Sequence, residues 1–139
     1  MPDLPETLLA GRERDYVGWF LNMKALSPGT FDDAELDHYA AAIAADGGLR
    51  ASLAYYRDAA ESARKNREAL KRQRLTVPIL GISSSHGSIP DMAASISPWA
   101  DDVTGVVVPD AGHFIPDEQP AAVAAAVADF ILGGRDPHG

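Results

Sequence analysis

The sequence predicts an α/β fold in which two parallel strands follow a helical first half. Three observations carry that prediction. Thr76–Ile82 (TVPILGI) and Val103–Val108 (VTGVVV) are continuous apolar runs, the texture of strands buried on both faces. Ser83–Asp102, between them, is long enough for a helical crossover. Residues 1–75 show helical spacing throughout and no strand pattern.

Each element has its own local reason. Leu4–Leu9 and Tyr16–Leu26 read as helices, with Tyr16, Trp19, Phe20 and Met23 forming one apolar face. Ser27-Pro28-Gly29 stops the second. Thr30 is the expected cap of the next, with Asp32, Asp33 and Glu35 favoured in its first turn by the helix dipole. Leu36, Tyr39, Ala40 and Ile43 form its stripe, and Gly47-Gly48 ends it. A third helix runs from Leu49 to Leu70. In the second half, Pro90 and Asp91 suit the first turn of the crossover helix, and Pro98 lies near its end. Pro120 opens a last helix to Leu132, with Val123, Val127, Phe130 and Ile131 on one side and Gly133-Gly134 beyond it. The expected organisation is a helical part at 1–75 and a βαβα part at 76–139. Two parallel strands do not make a finished sheet, so the fold is expected to be incomplete.

Composition narrows the function. The 139 residues carry 12 bases and 20 acids, a net charge of −8, which disfavours nucleic acid and anionic membranes as partners. Residues 1–75 hold 11 of the bases, and only Arg135 follows. There is no cysteine, hence no disulfide, thiol nucleophile or thiolate metal site. No apolar stretch is long enough to span a bilayer, and the start of the chain lacks a signal-peptide pattern, so a cytoplasmic protein is expected. The basic run Arg64–Arg74 reads as a solvated helix face.

The sharpest chemical signal is Pro109-Asp110-Ala111-Gly112-His113-Phe114, which follows a strand and precedes a helix. The carboxyl end of a parallel strand is where open α/β sheets place ligands, and imidazole is the natural general base near neutral pH. Gly112 is expected to supply a sharp turn there. Ser83-x-Ser85-x-Gly87 imitates a nucleophile elbow, with a polar turn as the plainer reading of Ser85. His86 reads as an exposed loop residue, and His38 and His138 as solvated. No histidine pair has metal-ligand spacing, and no cofactor is expected.

Several segments together resemble one family. They are Gly11-Arg12-Glu13-Arg14-Asp15-Tyr16-Val17-Gly18-Trp19-Phe20-Leu21, Leu53-Ala54-Tyr55-Tyr56-Arg57, Thr76-Val77-Pro78-Ile79-Leu80, Asp110-Ala111-Gly112-His113-Phe114 and Asp117-Glu118-Gln119-Pro120. In that order they resemble the cap and C-terminal part of the α/β-hydrolase fold, in its epoxide hydrolase-like branch. The resemblance implies a small-molecule substrate and an ester intermediate on an aspartate nucleophile. His113 is implied as the base that activates water, and Tyr16 and Tyr56 as hydrogen-bond donors to the opening epoxide oxygen. Val17-Gly18 stands where the haloacetate dehalogenase branch carries His-Trp. The G-x-D-x-G nucleophile segment does not occur in this sequence, and Gly87 occupies the position of the orienting acid. Asp91, or a residue of the missing half, is the expected replacement. The isolated chain is therefore expected to be inert, or to act as a remnant or partner-dependent subunit with an exposed sheet edge open to pairing or self-association.

Overall fold

The structure is a computed structural model that describes residues 3–133. The elements in chain order are α1 (Leu4–Leu9), α2 (Glu13–Lys24), α3 (Asp33–Ala44), α4 (Gly48–Arg72), β1 (Ile79–Ser84), α5 (Met92–Ile96), β2 (Val103–Val108), α6 (Ile115–Glu118) and α7 (Pro120–Gly133), with a 3-10 turn at Ser97–Trp99. The chain divides into two compact units. One takes in the residues up to Met23 together with Phe31–Ala69, and the other takes in Lys24–Thr30 together with the chain from Leu70 onward.

The first unit is helical. Its buried apolar residues are Val17 and Leu21 of α2, Phe31, and Leu36 and Ala40 of α3. The cap of α3 is Asp32 rather than Thr30. Its carboxylate accepts the Glu35 N–H at 2.8 Å while the Glu35 carboxylate accepts the Asp32 N–H at 2.9 Å. This reciprocal box satisfies two otherwise orphaned donors, which a lone Thr30 hydroxyl two residues earlier cannot do; Thr30 bonds back to Ser27 instead. Gly47, with φ of 75°, makes the turn, but Gly48 already begins α4. The apolar face expected on α2 is only half right, because Trp19 and Met23 are exposed, as is Tyr39 on α3. Arg14 ties α2 to α3 through Asp33 and Asp37, and Arg57 of α4 grips both oxygens of Glu6 in α1 at 2.7 Å.

The second unit holds the sheet. Among the described residues it has two strands, β1 and β2, paired in parallel from Ile79↔Val103 to Ser84↔Val108. The first strand starts later than Thr76 and continues through two serines. Pro78 has no N–H to give a ladder, so the residues before it contribute only an isolated bridge at Leu75↔Ala100. Gly81 and Gly105, opposite one another in register, leave room for α5. A Cβ at either would press on Ala93, at 3.0 and 2.8 Å. Ser83, on the same face, accepts the Met92 N–H at 2.7 Å. On the other face, Leu80, Thr104 and Val106 line an open groove of about 980 Å³ whose far wall is Ala122, Ala126 and Phe130 of α7. The expected burial on both faces does not hold for β2, since Val107 is 57% exposed. A strand paired on one side only, with one short helix over that face, has too little cover for every valine.

The basic run ends differently from the solvated face expected of it. Arg64 pairs with Glu61 and Glu68 along α4. Arg74 instead reaches Asp101 at 2.6 Å, Pro98 O at 2.6 Å and also the Ala100 carbonyl, pinning the turn that leads into β2.

Candidate active site

His113 lies in the loop between β2 and α6, at the carboxyl end of the parallel pair. Two loops are zipped together there. Ser85 N–H donates to Val108 O and His86 N–H to Ala111 O, both at 3.1 Å, and the Ser84 hydroxyl donates to Gly112 O. Asp110 makes the sharp turn, with φ of 49°, a left-handed conformation that aspartate tolerates better than most residues. Gly112 serves another purpose than the turn expected of it. A Cβ there would lie 2.6 Å from Leu26 N and 2.7 Å from Lys24 O, so its small size admits the Lys24–Leu26 backbone.

That backbone anchors the histidine. His113 N–H donates to Lys24 O at 3.0 Å. Glu118, on α6, accepts the N–H groups of Gly112 at 3.0 Å and Phe114 at 3.1 Å with one oxygen, and that of Leu26 at 2.7 Å with the other. The main chain on both sides of His113 is thereby fixed by one carboxylate. Gln119 adds a bond to Asp110 O at 3.0 Å. The imidazole itself is exposed, with Nδ1 3.3 Å from the Ser88 hydroxyl and the Phe114 ring edge-on at 5.2 Å. A small cavity of about 220 Å³ joins His113, Ser88, Ser84 and Gly112.

The Ser85 hydroxyl meets Nδ1 of its neighbour His86 at 2.8 Å rather than His113. Asp91 caps α5, accepting the Ala94 N–H at 2.8 Å. A Cβ at Gly87 would press on the Ser84 hydroxyl. His38 is exposed on α3, and His138 lies outside the described residues. Among the described residues no group of acids and histidines is arranged to hold a metal ion, and no helix is long and apolar enough to cross a membrane.

Tyr16 and Tyr56 come together in the helical unit. Both line a cavity of about 260 Å³ with Val17, Phe20, Tyr39 and Tyr55. Burial, and then the nearness of Tyr56, push the Tyr16 phenol above the usual tyrosine range. Tyr56 stacks edge-on against Tyr55 at 5.4 Å, and Tyr16 leans on Phe20 at 6.1 Å. The next residue after Tyr56 is Arg57, so the grip on Glu6 also fixes this turn of α4.

Sequence reasoning alone missed three contributors: Glu118 as an anchor, Ser88 as the group at Nδ1, and Lys24–Leu26 as part of the site. A carboxylate five residues past the histidine, on a one-turn helix beginning at Ile115-Pro116, was the available signal for Glu118. Nothing local announces the other two.

No protein-family model matches the chain. The solved structure of wild-type Cfl2 from Burkholderia cenocepacia is 48% identical, with a TM-score of 0.87 over 92% of this chain and 44% of that one. This chain has the fold of the C-terminal part of an α/β-hydrolase. The Cif epoxide hydrolase from Acinetobacter nosocomialis has the same fold over 93% of this chain and 42% of its own, with 22% identity and a TM-score of 0.84. The soluble epoxide hydrolase of Corynebacterium sp. (strain C12) is 27% identical over 134 residues, 94% of this chain and 46% of that protein. The chain thus spans a little under half the length of the proteins it matches.

Proposed function

We propose that this chain supplies the base-bearing half of an epoxide-opening α/β-hydrolase. In that role Tyr16 and Tyr56, which share one cavity, donate hydrogen bonds to the oxygen of the opening epoxide. An aspartate carried by the rest of the hydrolase, on the same polypeptide or on another, forms the alkyl ester. His113 then takes a proton from water, which attacks the ester carbonyl and releases the diol. The observation that carries the reading is the loop after β2, where His113 stands exposed while its backbone is held on both sides by Glu118. Electrostatic stabilisation of the tetrahedral intermediate falls to backbone donors beside the nucleophile, outside this chain. The proposed setting is the cytoplasm.

The test is turnover of a simple aryl epoxide by the chain joined to, or mixed with, a nucleophile-bearing half. Restored turnover that stalls at the ester in His113→Ala supports the reading. Equal turnover with and without His113 overturns it. Tyr56→Phe should slow ring opening and spare ester hydrolysis.

A second reading has its own support. The groove against Leu80, Thr104 and Val106 and the uncovered Val107 fit a partner-dependent subunit whose sheet is completed by other strands. In that case the 139-residue chain alone turns over no epoxide and gains its melting cooperativity on pairing.

A further inference from the structure

Arg57 follows Tyr56 on α4, and successive side chains leave an α-helix about 100° apart. The guanidinium therefore reaches α1 while the Tyr56 phenol lines the cavity that Tyr16 also lines. One guanidinium nitrogen donates to both oxygens of Glu6 at 2.7 Å. Holding one side chain of a helix holds the rotation of that helix about its axis, and with it the direction of the next side chain. Shelter from water separates this tie from the others in the helical unit. The Arg57 and Glu6 side chains are 33% and 16% exposed, whereas those of Arg50 and Asp3, which also link α4 to the start of α1, are 65% and 67% exposed. Arg14 of α2 meets Asp33 and Asp37, whose side chains are exposed as well. Water screens the exposed pairs until they contribute little, and a sheltered pair is screened much less. The hydrogen bond from Arg57 also holds the Glu6 carboxyl below its ordinary range, so the pair is ionised at neutral pH.

We infer that the Glu6–Arg57 ion pair positions Tyr56 against Tyr16, setting the geometry of the two phenols in their shared cavity. The inference rests on the proposed ring-opening role for its purpose, though not for its first test. An opening epoxide oxygen is a single atom, so two donors serve it only if both hydroxyls converge on one point. Tyr16 and Tyr56 come from different helices, and their convergence depends on how each helix is turned. A rotation of α4 by about 20° moves a group at its rim by about 2 Å, enough to lose a hydrogen bond. Neither Glu6 nor Arg57 is among the residues lining the cavity, so the pair positions a donor and is not one itself.

Absorbance titration of the 139-residue chain reads the phenol pair without any turnover. Tyr56→Phe should bring the Tyr16 ionisation forward in the native chain, and equally in Arg50→Gln, which loses the exposed tie. In Glu6→Gln and in Arg57→Gln that effect of Tyr56→Phe should be lost. Arg57→Lys, which keeps a cation for Glu6, should restore it. An effect of full size in Glu6→Gln, or none in the native chain, overturns the inference. Kinetics at neutral pH, with the nucleophile-bearing half supplied, give a second reading that does not depend on the variants staying folded at high pH. Glu6→Gln should lower kcat for ring opening by about tenfold and leave KM within about twofold, as for a displaced catalytic group. Added to Tyr56→Phe, it should cost nothing further. A loss of the same size in both backgrounds marks a merely structural tie and overturns the inference. Failure of the catalytic reading is distinct from these outcomes, since Tyr56→Phe then opens the epoxide at the native rate while the titration still decides whether the pair positions Tyr56.

Discussion

Glu118 and Leu26 stand 92 residues apart, yet the carboxylate of the first accepts the backbone N–H of the second at 2.7 Å. The same side chain holds the residues before and after His113. Hydrogen bonds to a charged acceptor are worth more than neutral ones, and a partly buried N–H left without a partner costs about 1–3 kcal/mol. Glu118→Ala should therefore destabilise the chain by about 2–3 kcal/mol, measured by urea denaturation. Glu118→Gln, which keeps one acceptor, should cost less. Amide exchange at Gly112, Phe114 and Leu26 should quicken in both. Protection unchanged at all three in Glu118→Ala would remove the anchor role.

Ser84 and Gly87 should prove energetically coupled. The Ser84 hydroxyl occupies the space that a Cβ at residue 87 would need. Gly87→Ala alone is expected to cost about 1–3 kcal/mol, the range for overpacking a filled site. Ser84→Ala clears that space and gives up its bond to Gly112 O. The double variant should be more stable than the two single losses predict, with a coupling energy of about 1 kcal/mol. Strict additivity in the cycle would mean that the loop moves freely enough to absorb a side chain.

The Tyr16 phenol provides a signature at high pH. Its folded pKa is raised above the ordinary value of 10.0, chiefly by burial and further by Tyr56. Above pH 10 the unfolded chain loses this proton before the folded one does, so stability is whole below that point and falls as pH rises through the window. Absorbance titration should show one tyrosine ionising late, and Tyr16→Phe should abolish that phase. Tyr56→Phe should bring it forward, because the neighbouring phenolate no longer opposes it.

Val107 should govern association. It is 57% exposed on a strand paired on one side only. Unpaired strand edges with apolar side chains template pairing with other chains. Val107→Lys should lower the weight-average mass in sedimentation equilibrium while changing thermal stability by less than about 0.5 kcal/mol, as for a surface substitution. A mass unaffected by the change would place any self-association elsewhere.

The fold was legible where a single local rule decides. Pro120 and the apolar repeat marked α7, and the two β-branched runs gave a parallel pair. The misses come from competition between rules. Thr30 and Asp32 are both good caps, and the reciprocal bond to Glu35 chose Asp32. Trp19 and Met23 have helical spacing, but spacing fixes a direction and not what lies there to cover it. At the site, His113 was visible from its flanks because strand, turn and helix are sequence-local. Ser88 and Lys24–Leu26 were not, since each meets the histidine loop across a long stretch of chain and carries no motif of its own.

The contribution of Lys24–Thr30 to the second unit bears on the order of folding. Closing a flexible loop of 92 residues costs on the order of 4 kcal/mol from its length dependence alone. The short-range β1–α5–β2 unit can form before that closure, but the main chain around His113 is clamped only after it. Chain emerging from a ribosome would hold the strands early and the histidine last. Rigidity at His113 thus becomes a report that the distant amino-terminal segment has already arrived.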